Sequence, residues 1–103
     1  MDPSETQEAI FFLELTKIPR PSGHMEGINR YLEGFAEEHG LECETDSAGN
    51  VLIRRGGKGR TVVLQGHQDI VPNSVREFDF ESTPLRTVVE DGWIRADGTT
   101  LGA

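Results

Sequence analysis

The sequence predicts an α/β fold in which helices flank a mixed β-sheet. Two segments with apolar residues at three- and four-residue steps come first, and short β-branched runs separated by glycine-rich turns follow them. Hydrophobic residues make up 35% of the 103 residues, beside 12 glycines, which is ordinary for a globular chain. The net charge of −8 argues against binding to nucleic acid or to an anionic membrane surface.

The single cysteine, Cys43, excludes an intrachain disulfide and gives no sign of an oxidising compartment. The opening MDPSETQEAI lacks the basic and apolar regions of a signal peptide, and no run approaches the ~18 apolar residues of a membrane span. We therefore expect a cytoplasmic protein.

The first helix is predicted to begin near Asp2, which can cap it. Pro3 fits the first turn, and Glu5 can reach back as a capping-box partner. Pro19 and Pro21 are expected to end it, because proline cannot continue the hydrogen-bond ladder.

The second helix is predicted from about residue 24 to residue 39. Either Ser22 or Gly23 could cap its start, and Gly40 suits the left-handed position that follows many helices. Two glycines inside this helix weaken it, and close packing against another element would explain them.

Five short strands are predicted after the helices, in the segments LECETD, VLIRR, TVVLQ, LRTVVE and WIRAD. TVVLQ is apolar on both faces, which suits a central strand covered by helices. The pair Asp91 and Gly92 separates the last two runs and predicts a two-residue hairpin.

The stretch VVLQGHQDIVPN carries the candidate chemistry. Residues two apart on an extended backbone point to the same side, so His67 and Asp69 can face one site at the carboxyl end of TVVLQ. A neutral imidazole is a good zinc ligand, and a carboxylate can hold its other ring nitrogen. Taken alone, this pattern is also compatible with a histidine that is only hydrogen-bonded within the fold.

Longer motifs favour the metal site. The segments IPRPSGHMEG, DSAGNVLIRRGG, LQGHQDIVP, DFESTP and WIRADGTTLGA resemble the aminoacyl-histidine dipeptidase (peptidase D) branch of the zinc-dependent dipeptidase, carboxypeptidase and aminoacylase family. The resemblance runs from about residue 6 to the last residue. It implies that His67 is a metal ligand and that Asp69 steadies the imidazole and supports catalysis. It also implies two zinc ions, or cobalt or manganese, and a dipeptide substrate of the Xaa-His type.

In that family the phrase matching GTTLGA continues directly into a metal-bridging aspartate. We therefore expect residues 1–103 to be the amino-terminal part of a zinc-exopeptidase-like catalytic domain, truncated, inactive alone and without a stably bound metal. We also expect TVVLQ to lack partners, so that the chain self-associates, with a homodimer as one outcome, or is disordered over residues 96–103.

Two other functions remain open from the sequence. One is an acyl-amino-acid deacylase or tripeptidase of the same wider family. The other is a non-catalytic α/β interaction module in which His67 and Asp69 are structural.

Overall fold

The computed structural model describes residues 6–102, in which two helices precede two separate antiparallel strand pairs. One pair joins Glu42–Thr45 (β1) to Val51–Arg54 (β2), and the other joins Thr87–Glu90 (β3) to Trp93–Ala96 (β4). This mixture of helices and sheets confirms the predicted α/β class. No helix within residues 6–102 is long and apolar enough to cross a membrane. The elements in chain order are α1 (Gln7–Thr16), α2 (Glu26–Glu38), β1 (Glu42–Thr45), β2 (Val51–Arg54), β3 (Thr87–Glu90) and β4 (Trp93–Ala96).

Helix α1 begins later than predicted. Its N-cap is Thr6, whose hydroxyl accepts the backbone N–H of Ala9 at 3.2 Å. The predicted cap residues Asp2, Pro3 and Glu5 lie outside the described residues. The helix ends at Thr16, before the two prolines, as predicted.

Helix α2 ends in the arrangement that the sequence predicts. Gly40 has a φ of 68°, in the left-handed region that favours glycine. Its N–H donates to the Glu37 carbonyl at 3.2 Å, and the N–H of Leu41 donates to the Ala36 carbonyl at 2.8 Å. These two bonds form a Schellman motif, so they satisfy carbonyls that the helix itself leaves unpaired.

The start of α2 differs from the prediction. The N-cap is Met25, which makes no side-chain cap hydrogen bond, so the expected capping by Ser22 or Gly23 is wrong. Of the two interior glycines, Gly27 is closely packed, because a Cβ there would lie 3.3 Å from the Ile18 side chain. Gly34 faces open space, and packing does not explain it.

Few apolar side chains are fully buried in the described part of the chain. Ile28 and Ala36 of α2 are almost wholly buried, and so is Ile70 of the later loop. The rings of Phe11 and Phe35 meet edge to face with centroids 5.2 Å apart, which packs α1 on α2. Ile70 directly follows Asp69, so the chain is buried immediately after the candidate pair His67 and Asp69.

The predicted TVVLQ strand is wrong for this structure. Residues 61–65 form no ladder, and the side chains of Val62, Val63 and Leu64 are 75% to 93% exposed. A strand needs a neighbour to satisfy its backbone groups, and no strand of residues 6–102 lies alongside this segment.

The β3–β4 hairpin forms as predicted. Asp91 and Gly92 have φ values of 52° and 77°, the positive pair that a type I′ turn requires. Glu90 pairs with Trp93 next to this turn.

Replacing Gly34 inside α2 and Gly40 after it by alanine should change the free energy of unfolding in opposite directions. We expect Gly40→Ala to lower the free energy of unfolding by about 1–2 kcal/mol, because a Cβ is disfavoured at positive φ. Gly34→Ala should raise it by up to about 1 kcal/mol, because alanine is the better helix former. Urea unfolding of both variants measures this, and equal effects would contradict the assigned geometry.

The exposed run at residues 61–65 should drive self-association. We expect Leu64→Glu to lower the fraction of associated chain, because a charge opposes pairing of an apolar strand edge. Sedimentation velocity over a range of concentrations measures that fraction. Val75→Glu is the matched control, since Val75 is 82% exposed but lies outside the run. Equal loss of association in both variants would contradict a specific role for residues 61–65.

Candidate functional site

His67 and Asp69 lie together on one side of the chain. The Nδ1 atom of His67 is 3.0 Å from Oδ1 of Asp69 and 3.0 Å from its backbone carbonyl. Both partners are acceptors, so Nδ1 carries the proton and, in the neutral ring, Nε2 carries the lone pair. The predicted same-side placement is confirmed, and the imidazole has the tautomer of a ligand that would bind through Nε2.

A hydroxyl fixes the other oxygen of the Asp69 carboxylate. Ser22 Oγ donates to Oδ2 of Asp69 at 2.5 Å. This hydrogen bond, followed by the one from His67, holds the pKa of Asp69 below its usual value. The carboxylate therefore stays ionised and oriented while it holds the imidazole.

Backbone pairing brings these residues together. The Ile70 N–H donates to the Arg20 carbonyl at 2.9 Å, and the Ser22 N–H donates to the Ile70 carbonyl at 3.1 Å. Pro21 and Ile70 form an isolated parallel bridge. We call these two segments, residues 20–22 and 68–70, the junction. It positions the site, in place of the strand end that the sequence predicts.

The side chain of Gln68 does not share the hydrogen-bond partners of His67 and Asp69, the residues on either side of it. Its amide nitrogen donates to Oδ1 of Asn29 at 2.6 Å and to the Gly49 carbonyl at 3.1 Å. These bonds tie the middle of the His67–Asp69 segment to α2 and to the β1–β2 turn.

An open cleft of about 560 Å³ lies along this region. His67 and Asp69 line it, and so do residues of the β1–β2 hairpin, among them Asn50 and Leu52. The imidazole is 63% exposed and the Asp69 side chain 34% exposed, so a ligand can reach both.

Arg20 is the first residue of the junction and is buried, with only 3% of its surface exposed. Its Nη1 donates to the Gln68 carbonyl at 3.0 Å, and its Nη2 donates to the Leu101 carbonyl at 3.3 Å. Burial lowers the pKa of Arg20, and the negative charge of Asp69 opposes that effect.

The GTTLGA segment is packed beside residues 71–75. The Thr100 N–H donates to the Asn73 carbonyl at 2.9 Å, and the Val75 N–H donates to the Gly98 carbonyl at 2.8 Å. The Thr100 hydroxyl donates to the Val71 carbonyl. Residues 96–102 are therefore hydrogen-bonded and do not show the disorder that was one of the two expected outcomes, while self-association stays a prediction.

The described residues do not complete a metal site. Within residues 6–102, no three or more histidine, cysteine, aspartate or glutamate side chains are grouped so that they could hold a metal ion. His24 pairs with Glu81 at 3.1 Å, and His39 Nδ1 contacts the Phe35 carbonyl at 2.8 Å. The donor chemistry present is therefore one oriented imidazole with its supporting carboxylate, where a zinc site needs about four ligands.

Sequence reasoning missed Arg20, Ser22 and Gln68 as residues that position the site. A signal was present in PRPS, where a charged residue lies between two prolines in a segment too rigid to be an ordinary helix end. Spacing alone could not show that this segment pairs with residues nearly fifty positions later.

The known proteins that this chain resembles are dipeptidases and related hydrolases. The chain is 39% identical over 99 residues to the cytosol non-specific dipeptidase of Escherichia coli K12. Its fold matches the crystal structure of aminoacylhistidine dipeptidase from Vibrio alginolyticus with a TM-score of 0.83 and 33% identity over 99% of this chain. It is also 34% identical over 62 residues to the LysW-lysine hydrolase of Deinococcus radiodurans. No model of a known protein family matches the chain.

The matches cover most of this chain and a small part of each relative. The alignment with the E. coli dipeptidase takes in 89% of this chain and 20% of the relative. The Vibrio structure is matched over 23% of its length, and the Deinococcus hydrolase over 17%, with 60% of this chain aligned. The chain thus spans about a fifth of the length of these dipeptidases.

The Ser22 hydroxyl should set the acidity of Asp69. We expect Ser22→Ala to raise the pKa of Asp69 towards its usual value, because the first and largest cause of its lowering is removed. An aspartate whose pKa is lowered in the folded state stabilises the fold at pH values above its unfolded pKa of about 3.9. This contribution is lost as the pH falls through the folded-state pKa. The variant should therefore lose part of that contribution at neutral pH. NMR titration of the carboxyl carbons measures the shift.

The matched control is Ser82→Ala, because the hydrogen bond from the Ser82 hydroxyl is the largest cause of the lowered pKa of Asp79. It should raise the pKa of Asp79 and leave that of Asp69 unchanged. An Asp69 pKa that is equal in the wild type and Ser22→Ala would show that the hydroxyl does not hold the carboxylate.

Proposed function

The chain belongs to the family of dipeptidases and related hydrolases that these relatives represent, and on that premise we propose that it forms part of a metal-dependent dipeptidase. In this proposal residues 1–103 correspond to the amino-terminal part of the catalytic domain. The chain matches only 20% to 23% of the length of the two dipeptidases, which supports the proposal that it is part of such an enzyme. The location we propose is the cytoplasm, in line with the name of the E. coli relative.

The proposal rests on the imidazole of His67, which Asp69 holds in one orientation. Asp69 occupies Nδ1 of His67 and leaves Nε2 for a ligand, while Ser22 keeps the carboxylate in place. A carboxylate-supported histidine is the usual arrangement at catalytic metal sites. We assign His67 as one metal ligand and Asp69 as the group that orients it. Zinc suits this chemistry, and cobalt or manganese are alternatives.

The substrate class follows from the relatives. Two of them are named as dipeptidases, one of broad specificity and one for aminoacyl-histidine. We propose dipeptides as substrates, with Xaa-His peptides among them. A deacylase is the second candidate, because the LysW-lysine hydrolase and a succinyl-diaminopimelate desuccinylase from Bordetella avium also match the chain.

We further propose that this chain is inactive by itself. One imidazole and one carboxylate cannot replace the three protein ligands that catalytic zinc usually needs. The isolated chain, supplied with Zn²⁺ and with dipeptides, should therefore hydrolyse none of them above the rate of a His67→Ala sample. Hydrolysis that His67→Ala abolishes would contradict this expectation.

The assigned roles can be tested in a chimera. This chain would replace the matching segment of the E. coli dipeptidase, and hydrolysis of Ala-Ala, Xaa-His peptides and N-acyl amino acids would be compared. We expect the dipeptides to be cleaved in preference to the N-acyl compounds. His67→Ala should abolish activity, and Asp69→Asn should lower it by about 10–100-fold, as loss of an orienting partner does.

The control in the chimera is His24→Ala, since this imidazole pairs with Glu81 and not with Asp69. It should keep the activity of the parent chimera. A chimera that is active and indifferent to His67→Ala would refute the assignment of His67, and a preference for N-acyl substrates would favour the deacylase.

A further inference from the structure

Arg20 is a buried cation whose hydrogen-bond acceptors are backbone carbonyls. It is 3% exposed, and its Nε is buried without a hydrogen-bond partner among the described residues. Burying a charge is costly unless its donors are satisfied, and here two of the five guanidinium donors have acceptors at hydrogen-bond distance. Asp69 supplies the negative charge that acts on it.

Stability alone is a poor reason for this arrangement. Replacing buried ionic groups by apolar residues of similar volume is often neutral or stabilising. A guanidinium differs from an apolar side chain in being a rigid plane with donors at fixed positions. Arg20 therefore contributes a fixed geometry, because its Nη1 and Nη2 atoms bond to acceptors in different segments.

Those two ends reach different segments of the candidate site. Nη1 holds the carbonyl of Gln68, the residue between His67 and Asp69. Nη2 holds the carbonyl of Leu101, in the loop of residues 98–102. Since both nitrogens belong to one planar group, the separation of these two carbonyls is fixed by the guanidinium itself.

We propose that Arg20 is a positioning residue that fixes the His67–Asp69 segment relative to the loop of residues 98–102. Its functional meaning rests on the proposed function, because only then do the two segments belong to one catalytic centre. The fixed separation of the two segments, which we call the geometric coupling, does not depend on the proposed function. The coupling can therefore be tested in this chain without metal or substrate.

The test compares the wild type with Arg20→Lys, which keeps the charge and removes the fork. We expect the carbonyl carbon resonances of Gln68 and Leu101 both to move upfield, as they do when a hydrogen bond is lost. Amide exchange of Ile70 and Thr100 should accelerate on the order of tenfold, because a hydrogen bond to a charged group is lost at each segment. The amides of α2 should keep their exchange rates.

Arg86→Lys is the matched control, since the Arg86 side chain is exposed and its Nη1 lies 3.9 Å from Oδ2 of Asp97, at the edge of an ion-pair distance. It should change none of these signals. Arg20→Lys would overturn the proposal if it left either carbonyl resonance in place, or if it accelerated exchange equally throughout α2 and both segments. The latter result would mean a loss of global stability only.

A wild-type measurement covers the case in which Arg20→Lys does not fold. At low temperature the Arg20 guanidinium should show separate Nη1 and Nη2 proton signals, because two bonded ends restrict rotation. Nuclear Overhauser contacts should link one signal to Gln68 and the other to Leu101. A single averaged signal would overturn the proposal. Each result stands whether or not the chimera hydrolyses dipeptides.

Discussion

The candidate site depends on the pairing of two short segments that are far apart in the sequence. At the junction, Ile70 exchanges backbone hydrogen bonds with Arg20 and Ser22, and its side chain is buried. Side chains from the same short segment then hold the Gln68 carbonyl and the Asp69 carboxylate. The orientation of His67 follows from this arrangement, because its ring is bonded to Asp69. This one pairing between distant segments thus supplies both the backbone path and the electrostatic environment of the imidazole.

The junction also explains how an ordered site coexists with an exposed apolar segment. Residues 61–65 lead directly into the site but have no strand beside them within residues 6–102, and their apolar side chains face solvent. The next long-range hydrogen bonds along the chain are those of Gln68 with Asn29 and Gly49. The site is therefore held from its carboxyl-terminal side and from α2, independently of the segment that precedes it.

Local features of the fold could be predicted from the sequence, and non-local ones could not. The Gly40 cap and the Asp91–Gly92 turn are fixed by backbone conformations that few residues adopt, so local patterns identify them. The same-side placement of His67 and Asp69 follows from their spacing. TVVLQ was assigned wrongly because an apolar pattern shows what a segment can bury, and pairing also needs a neighbour. The part played by Arg20 depends on contacts 48 and 81 residues away, which no local pattern contains.

We expect the junction, acting through Asp69, to hold His67 in the tautomer that is protonated at Nδ1. Long-range proton–nitrogen NMR correlation on the uniformly ¹⁵N-labelled chain, at a pH where the imidazole is neutral, measures which ring nitrogen carries the proton. The account predicts that His67 is protonated at Nδ1, with Nε2 as the unprotonated nitrogen, while the ring remains hydrogen-bonded to Asp69. Protonation mainly at Nε2, or an even mixture of the two tautomers, would contradict it.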